Sequence, residues 1–147
     1  MSRTAIAAIQ LFGKGLIMNS MKYYQENQLI CWFPEGSIDK DIIHAYYSVL
    51  HDCVWANTAN RFCDFSKVTS FAVSSDDLYS LSEFRKYSLK NHKNIILVMN
   101  STRPLGYGMS RMYEGLMNEW EMNIYVTRTI TEAATKLLVE QKLLVDP

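Results

Sequence analysis

One stretch of this sequence constrains the fold more than any other. From Asn94 to Met99, every residue after the first is apolar, and no charge interrupts the run. A half-exposed strand alternates apolar and polar side chains, whereas a strand covered on both faces is apolar throughout. The run therefore predicts a central strand, in a sheet that has a layer of structure on each side. Sheets of this kind are usually parallel, and their strands alternate with helices.

The rest of the chain supplies this alternation. Lys22 to Phe33 predicts a hairpin that turns at Glu26-Asn27. A first helix is predicted with Ser37 as its cap and with apolar residues at Ile38, Ile42, Ile43, Tyr46, Val49, Leu50 and Cys53, and a strand from Arg61 to Phe65 follows it. A second helix is predicted to begin at Ser74 to Asp77, with Leu78, Leu81, Phe84 and Leu89 facing inward. A third helix is predicted after Arg103-Pro104, then a strand from Asn123 to Thr127, and then a last helix that begins with a Thr129–Glu132 capping box. Together they predict an α/β sandwich with an opening hairpin, then a mostly parallel sheet with four helices.

Composition excludes several kinds of partner. The 147 residues suit one domain, and 15 Lys and Arg balance 15 Asp and Glu. A surface for nucleic acid or anionic membrane requires an excess of positive charge, so we expect no nucleic-acid partner. Cys31, Cys53 and Cys63 are odd in number and form no C-x-x-C pair, which indicates free thiols and a cytoplasmic location.

Residues 1–20 are set apart from this domain, which we place at residues 21–147. Gln10 and Gly13-Lys14-Gly15 interrupt their apolar run, and no small-residue cleavage site follows it. A membrane span needs about 20 apolar residues, so the segment is predicted to be neither a span nor a secretory signal. An upstream-start extension, an extra strand and an arm against a partner all remain open for it.

The polar loop before the third helix is the first choice for a ligand or partner site. Ligands of open α/β sheets lie beyond the carboxyl ends of strands, and this loop follows the central strand. The predicted rim is formed by Ser101, Thr102, Arg103, Tyr107, Gly108 and Arg111. The pattern G-x-G-x-x-G fails because Arg111 stands at its third glycine. A tight turn and close helix packing are the alternative role of Gly106 and Gly108.

Methionines concentrate in the same strand–helix unit. The cluster comprises Met99, Met109, Met112, Met117 and Met122, with Tyr107, Tyr113 and Trp120. Thioethers fill irregular cores and also line adaptable binding surfaces. Helical spacing favours the core for Met109, Met112 and Leu116, and it places Tyr113 and Met117 toward the surface, where they extend the predicted rim. An apolar groove and a dimer patch are both consistent with this cluster.

No residue pattern predicts a metal or catalytic site. His44 and His51 are seven residues apart, and Cys53 adds a third candidate ligand, but neither an i,i+4 His pair nor a C-x-x-C motif supports a metal. Asp64 ends a strand, as catalytic carboxylates often do, although capping the loop near Ser66 is the simpler role. We therefore expect no cofactor, no metal and no enzymatic activity.

Four strings carry a resemblance to a known family. They are Glu35-Gly36-Ser37-Ile38, Asp64-Phe65-Ser66-Lys67-Val68, Tyr107-Gly108-Met109-Ser110-Arg111-Met112-Tyr113-Glu114, and the stretch from Thr129 to Ala134. In this order and spacing, between about Lys22 and Leu138, the chain resembles the SpoIIAA-like family of STAS-like domains (sulfate transporter and anti-sigma-factor antagonist). The resemblance implies a STAS-like fold. The family has no established common activity, so fold alone implies no function.

The resemblance also draws attention to the start of the second helix. STAS-like anti-sigma antagonists carry a phosphorylatable serine after an aspartate there. Ser74 is the closest counterpart, with Ser75 beside it, but Val73 occupies the position of the aspartate. Free amides would stabilise a phosphate at a helix N-terminus, whereas Asp76 and Asp77 would oppose it. A plain N-cap is the alternative role of either serine.

Three hypotheses for function follow. The leading one is a non-enzymatic STAS-like regulatory or interaction domain that presents its second and third helices, and the loops before them, to a protein partner or to a second copy. The alternative is a carrier or sensor of a small apolar or lipid-like ligand. A third, an enzyme, would require a deep pocket containing Ser101, Arg103 or Asp64 and a general base.

Overall fold

The computed structural model describes residues 21–88, 94–117 and 123–145, in which strands and helices alternate. The strands are β1 (Met21–Tyr24), β2 (Leu29–Trp32), β3 (Gly36–Asp39), β4 (Asn60–Asp64), β5 (Val68–Ala72), β6 (Ile96–Asn100) and β7 (Asn123–Thr127). The helices are α1 (Lys40–His51), α2 (Ser75–Ser88), α3 (Pro104–Leu116) and α4 (Ile130–Leu137), and 3-10 turns cover Gln25–Asn27, Val54–Asn57 and Gln141–Leu144. The predicted α/β class with four helices is confirmed for these residues. The interpretations of residues 1–20, Leu89, Trp120 and Met122 lie outside the described residues.

Five strands form the central sheet, in the order β1-β2-β4-β6-β7. β1 and β2 are the predicted antiparallel hairpin, and every other neighbouring pair in this sheet is parallel. The hairpin turn contains Glu26 and Asn27 within a 3-10 turn that ends at Gln28, which has a positive φ of 46°. β6, which carries the apolar run, lies between β4 and β7, as the run predicts.

Helices cover both faces of this sheet. Successive parallel strands cross the sheet in one direction, so right-handed crossovers put α1, α2 and α3 on the same face. Leu97 and Met99 of β6 belong to the core beneath these helices. Val98 belongs to a second core on the other face, with Ala133 and Leu137 of α4. Because side chains alternate between two cores, the positions of β6 before Asn100 favour apolar residues.

A second sheet of two strands is not among the predicted elements. β3 and β5 pair in parallel, with Ile38 opposite Phe71. Ser37 is therefore an extended strand residue, and the prediction that it caps α1 is wrong. The N-cap is Asp39, whose Oδ1 accepts a hydrogen bond from the backbone N–H of Ile42 at 2.9 Å.

The predicted strands β4 and β7 and the predicted cap of α4 also rest on local signals, and the structure confirms them. β4 and β7 lie within a residue of their predicted bounds, and Thr129 is the N-cap of α4, as the Thr129–Glu132 pattern predicts. Thr129 Oγ1 accepts a hydrogen bond from the backbone N–H of Glu132 at 3.1 Å and donates one to Glu132 Oε1 at 3.2 Å. Thr129 thereby satisfies one free N–H group of the first turn, and the Glu132 carboxylate binds the Thr129 hydroxyl, whereas in a capping box it accepts from the backbone N–H of the N-cap residue.

α3 turns small and aromatic residues, rather than its largest apolar ones, toward the core. The buried stripe is Gly106, Ser110, Tyr113 and, just after the helix, Met117. These positions are four, three and four residues apart, which is the spacing of one helical face. Met109 and Leu116, which helical spacing places in the core, pack beside the stripe and are partly buried.

Three predictions about α3 are corrected by this orientation. Met112 is 45% exposed and is not a core residue. Tyr113 and Met117 are buried, at 4% and 0% exposure, so neither belongs to a surface rim. Large apolar side chains alone do not reveal the orientation, because a glycine and a serine occupy two of the inward positions.

Gly106 allows α3 to begin close to the loop after β6. A Cβ atom at this position would overlap Ser101 Oγ and would lie 2.9 Å from Ser101 Cβ. Gly108 is exposed, and a Cβ there would meet nothing within 4 Å. The packing role is therefore confirmed for Gly106 and wrong for Gly108.

These two glycines form a matched pair for a stability test. We expect Gly106→Ala to lower the free energy of unfolding by about 1–3 kcal/mol, because the overlap forces α3 away from Ser101. Gly108→Ala should raise it by about 0.5–1 kcal/mol, since alanine favours a helix and meets no obstacle. Urea unfolding followed by circular dichroism measures both. Equal stability of the two variants would contradict the close contact.

Candidate functional site

A hydrogen-bond network around Asp64 joins the carboxyl ends of β4 and β6. Asp64 Oδ1 accepts hydrogen bonds from the backbone N–H of Ser66 (3.1 Å), from Ser66 Oγ (2.7 Å) and from Asn100 Nδ2 (3.4 Å). The backbone N–H of Thr102 donates to Ser66 Oγ at 3.1 Å. Asp64 therefore caps the loop at Ser66, as the sequence predicts, and ties that loop to the one after β6.

The network continues to β7. Thr127 Oγ1 donates to Asn100 Oδ1 at 2.8 Å, and the backbone N–H of Ser101 donates to the carbonyl of Thr127 at 3.1 Å. Asn100, Ser101 and Thr127 are all buried. Their mutual hydrogen bonds satisfy polar groups that would otherwise be costly to remove from water.

The loop residues of the predicted rim bind other parts of the protein. Ser101 Oγ donates to the carbonyl of Arg103 and accepts from its backbone N–H, both at 3.1 Å. Arg103 Nη1 donates to the carbonyl of Val68 at 3.2 Å, although the residue is largely exposed. The structure thus brings Ser101, Thr102 and Arg103 together in one loop and fixes that loop against β5.

The other rim residues lie on the solvent-facing side of α3. The guanidinium of Arg128 lies 4.0 Å from the centre of the Tyr107 ring. Arg111 Nη1 forms an ion pair with Glu114 Oε1 at 2.8 Å. Gly108 lies between them in sequence and is exposed. The side chains of Tyr107 and Arg111 thus pair with Arg128 and Glu114, and the backbone N–H of Tyr107 donates to the carbonyl of Arg103 at 3.0 Å.

The start of α2 carries a reciprocal cap. The backbone N–H of Asp77 donates to Ser74 Oγ at 3.0 Å, and the backbone N–H of Ser74 donates to Asp77 Oδ2 at 3.1 Å. Ser75 is the first residue of the helix and is exposed. The N-cap role is therefore confirmed for Ser74, while phosphorylation of Ser74 or Ser75 stays a prediction.

An apolar cavity of about 40 Å³ lies between α1, α2, α3 and the two sheets. Its walls include Ile43, Phe71, Leu78, Met99, Met109 and Ser110. Two methionines of the predicted cluster thus share one cavity, with residues that no local sequence pattern brings together. Ser110 is a polar residue in these walls, and no sequence pattern identifies it as a site residue.

A buried arginine is also absent from the predicted site. Arg85 of α2 is 2% exposed, and its guanidinium lies 5.0 Å from the centre of the Tyr47 ring. Burial raises the pKa of Tyr113 to about 12, while the Arg85 charge acts to lower it. The signal for Arg85 is its spacing, because it follows Leu78 and Leu81 on the inward stripe of α2.

The three cysteines are free and buried. Burial raises the pKa of Cys63 to about 12 and that of Cys53 to about 11, and it also raises the pKa of Cys31. Protonated thiols are poor nucleophiles and poor metal ligands. Within the described ranges, no three His, Cys, Asp or Glu side chains converge as they would around a metal ion.

Several large hydrophobic side chains are exposed on α2 and α3. Of the large hydrophobic side chains that are exposed in the described residues, four lie on these two helices, and we call them the α2–α3 apolar set: Tyr79, Tyr87, Leu105 and Met112. The two helices pack against each other. Leu138 and Val145 are also exposed and lie in the C-terminal part of the chain.

Comparison with protein-family models, with curated proteins and with solved structures finds no match to this chain. None of the helices in the described part of the chain is both long and apolar enough to cross a membrane. The features of the molecule that bear on function are therefore the loops, the cavity and the α2–α3 apolar set.

The cap of α2 gives a test of the role of the two serines. We expect Ser74→Ala to lower the free energy of unfolding by about 1 kcal/mol, because the backbone N–H of Asp77 loses its acceptor. Ser75→Ala should change it by less than about 0.5 kcal/mol, since Ser75 is an exposed residue inside the helix. Urea unfolding measures both free energies. A larger loss of stability for Ser75→Ala than for Ser74→Ala would contradict the assignment of Ser74 as the N-cap.

The buried thiols predict a fall in stability at alkaline pH. Cys63 has an ordinary pKa of 9.0, and burial raises it to about 12 in the folded protein. Above pH 9 the unfolded chain loses this proton first, so unfolding is favoured by up to about 1.4 kcal/mol per pH unit until the pKa of the folded state is reached. We expect the free energy of unfolding of the wild type to fall more steeply between pH 9 and 11 than that of Cys63→Ala. Parallel pH profiles of the two proteins would contradict this.

Proposed function

We propose that this protein is a STAS-like, non-enzymatic interaction domain whose α2–α3 face binds a protein partner. The observation that carries the proposal is the α2–α3 apolar set. Tyr and Met are enriched at protein interfaces, and a few aromatic anchors supply much of the binding energy there. Burying each half-exposed side chain of this set would contribute on the order of 1 kcal/mol.

The loops before these two helices support the same proposal, because hydrogen bonds within the protein hold them in place. Ser74 and Asp77 cap each other at the start of α2. The Ser101–Arg103 loop is tied to β5 and, through Thr102, to Ser66. A preformed surface loses little conformational entropy on binding, so its contacts contribute more fully to affinity.

Charge is a secondary factor in this recognition. The chain has as many acidic as basic residues, and the acidic pair Asp76 and Asp77 lies at one end of α2. A partner recognised mainly by charge would need a surface of one sign. The partner is therefore expected to present an apolar surface, with a basic residue near Asp76 as an added contact.

The alternative function, a carrier for a lipid-like ligand, has less support. The cavity between α1, α2 and α3 has a volume of about 40 Å³. Ligand pockets in proteins usually have volumes of about 300–1,000 Å³. A lipid would need a large displacement of the described residues around this cavity. An enzymatic function would likewise need to free Ser101 and Arg103 from the hydrogen bonds that now fix their loop.

Site-specific photo-crosslinking in the native cells tests the interaction face. We would replace Tyr79 or Leu105 with p-benzoylphenylalanine and compare each with the same replacement at Leu138, which is 87% exposed at the end of α4 on the other side of the sheet. We expect both α2–α3 positions to crosslink to one and the same protein, and Leu138 not to do so. Met112→Glu combined with the probe at Tyr79 should weaken that adduct at least about fivefold, since a charge would be buried.

Two results would oppose this proposal. Adducts of the same composition and intensity at Leu138 would show that the crosslinks are non-specific. The lack of any adduct at Tyr79 and Leu105 would show that the apolar set does not contact a protein. An adduct with twice the mass of the chain would identify the partner as a second copy.

A further inference from the structure

The central sheet ends at β7, and the outer backbone groups of this strand form an edge. In the described part of the chain, β6 is the one strand that pairs with β7. The N–H of Asn123 and the carbonyl of Thr127 form hydrogen bonds of 3.1 Å with the residues that flank β6. A parallel ladder uses alternate residues of a strand, so Tyr125 also bonds to β6. The backbone groups of Ile124 and Val126 therefore point away from the sheet.

No backbone group in the described ranges hydrogen-bonds to Ile124 or Val126 from this outer side. The helices pack on the two faces of β7 rather than on its edge, because Ile124 and Val126 contact the core beneath α3 and Tyr125 contacts the core beneath α4. A groove of about 510 Å³ lies beside residues 123–125, and Gly115 of α3 is in its opposite wall. A Cβ atom at Gly115 would meet nothing within 4 Å. The edge therefore has open space next to it.

β7 lacks the usual features that protect an edge strand from pairing. Natural edge strands carry lysines, prolines or β-bulges. β1, at the opposite edge of the sheet, contains Lys22. β7 has no charged residue, proline or glycine, and it pairs with β6 without a shift in register. Its three central residues are β-branched or aromatic, as is typical of paired strands, and they are only partly buried.

The outer groups of β7 are complementary to those of a second copy. Ile124 and Val126 are each one residue from Tyr125. A two-fold axis at Tyr125 sets Ile124 of one copy opposite Val126 of the other, in antiparallel strands. Opposite residues in a hydrogen-bonded antiparallel pair exchange both of their N–H···O bonds. The two pairs related by the axis therefore use every outer N–H and carbonyl of Ile124 and Val126 in both copies.

We propose that β7 pairs with β7 of a second copy of this chain, antiparallel about Tyr125, so that two five-stranded sheets become one continuous sheet. Strand addition of this kind takes its affinity from main-chain hydrogen bonds, and two-fold dimers are the commonest oligomers of soluble proteins. The pairing uses backbone groups of β7 and no residue of the α2–α3 apolar set. Either proposal can therefore fail without the other.

Cysteine crosslinking of the full chain tests the register. In this pairing the two Tyr125 residues form a non-hydrogen-bonded pair with Cα atoms about 4.5 Å apart, which a disulfide can bridge. The two Asn123 residues lie four positions apart along the strands, or about 13 Å. We expect Tyr125→Cys to form a disulfide-linked dimer on mild oxidation, and Asn123→Cys to form at least about tenfold less. The three native cysteines are buried and serve as the common background.

A second measurement needs no crosslink. Val126→Pro removes an outer N–H and leaves the ladder with β6 intact, a position at which edge strands accept proline, whereas Val126→Ala keeps the N–H. Sedimentation equilibrium should show a dimer for the wild type and for Val126→Ala. Val126→Pro should raise the dissociation constant at least about tenfold, because each copy loses a donor. Circular dichroism verifies that both variants are folded.

Hydrogen exchange of the wild type provides a readout that no substitution can disturb. In the dimer, the amides of Ile124 and Val126 should be protected as strongly as the amide of Tyr125, which bonds to β6. A monomer at every concentration tested would overturn the proposal, as would a dimer in which these two amides exchange as fast as those of exposed loops. Equal crosslinking at the two cysteine positions, or an unchanged dissociation constant for folded Val126→Pro, would also overturn it.

Discussion

The contact between Gly106 and Ser101 determines how α3 is oriented, and much of the molecule depends on that orientation. A side chain at position 106 would overlap Ser101, so the first turn of α3 lies against the loop after β6 only because glycine is present. That loop is itself held by the network that runs from Asp64 through Asn100 to Thr127. Once the first turn is placed, every later side chain of α3 has a fixed direction. The helix therefore buries Ser110 and exposes Met112 as a consequence of contacts made at its beginning.

Local signals in the sequence were sufficient to predict those elements that are determined by residues close together in the chain. The apolar run predicts β6 because its residues must enter two cores, and Thr129 and Ser74 predict helix starts because caps are made by neighbours in sequence. The small sheet was not predictable in this way. β3 and β5 are brought together across α1 and β4, and neither strand has an apolar pattern that identifies its partner. The cap at Asp39 could be found only after that pairing was known.

The candidate site was predictable in its position but not in its chemistry. The residues after β6 do lie at the carboxyl ends of the strands, where the topology of a parallel sheet places them. Their side chains, however, bind the backbone of their own and neighbouring loops. Ser110 and Arg85, which are absent from the predicted site, both occupy inward positions where an apolar residue is expected. Such positions can be recognised by helical spacing, but only if polar residues are allowed on the inward face.

α3 thus reverses the usual arrangement of an amphipathic helix at several positions. It carries Leu105 and Met112 outward and Ser110 inward, although exchanging apolar and polar residues between these faces would lower the free energy of the isolated domain. Natural sequences depart from the pattern that favours folding chiefly at functional sites. The outward residues gain a favourable environment if a protein covers them. Because Gly106 fixes the orientation of α3, these residues cannot turn inward unless the first turn of the helix moves away from Ser101.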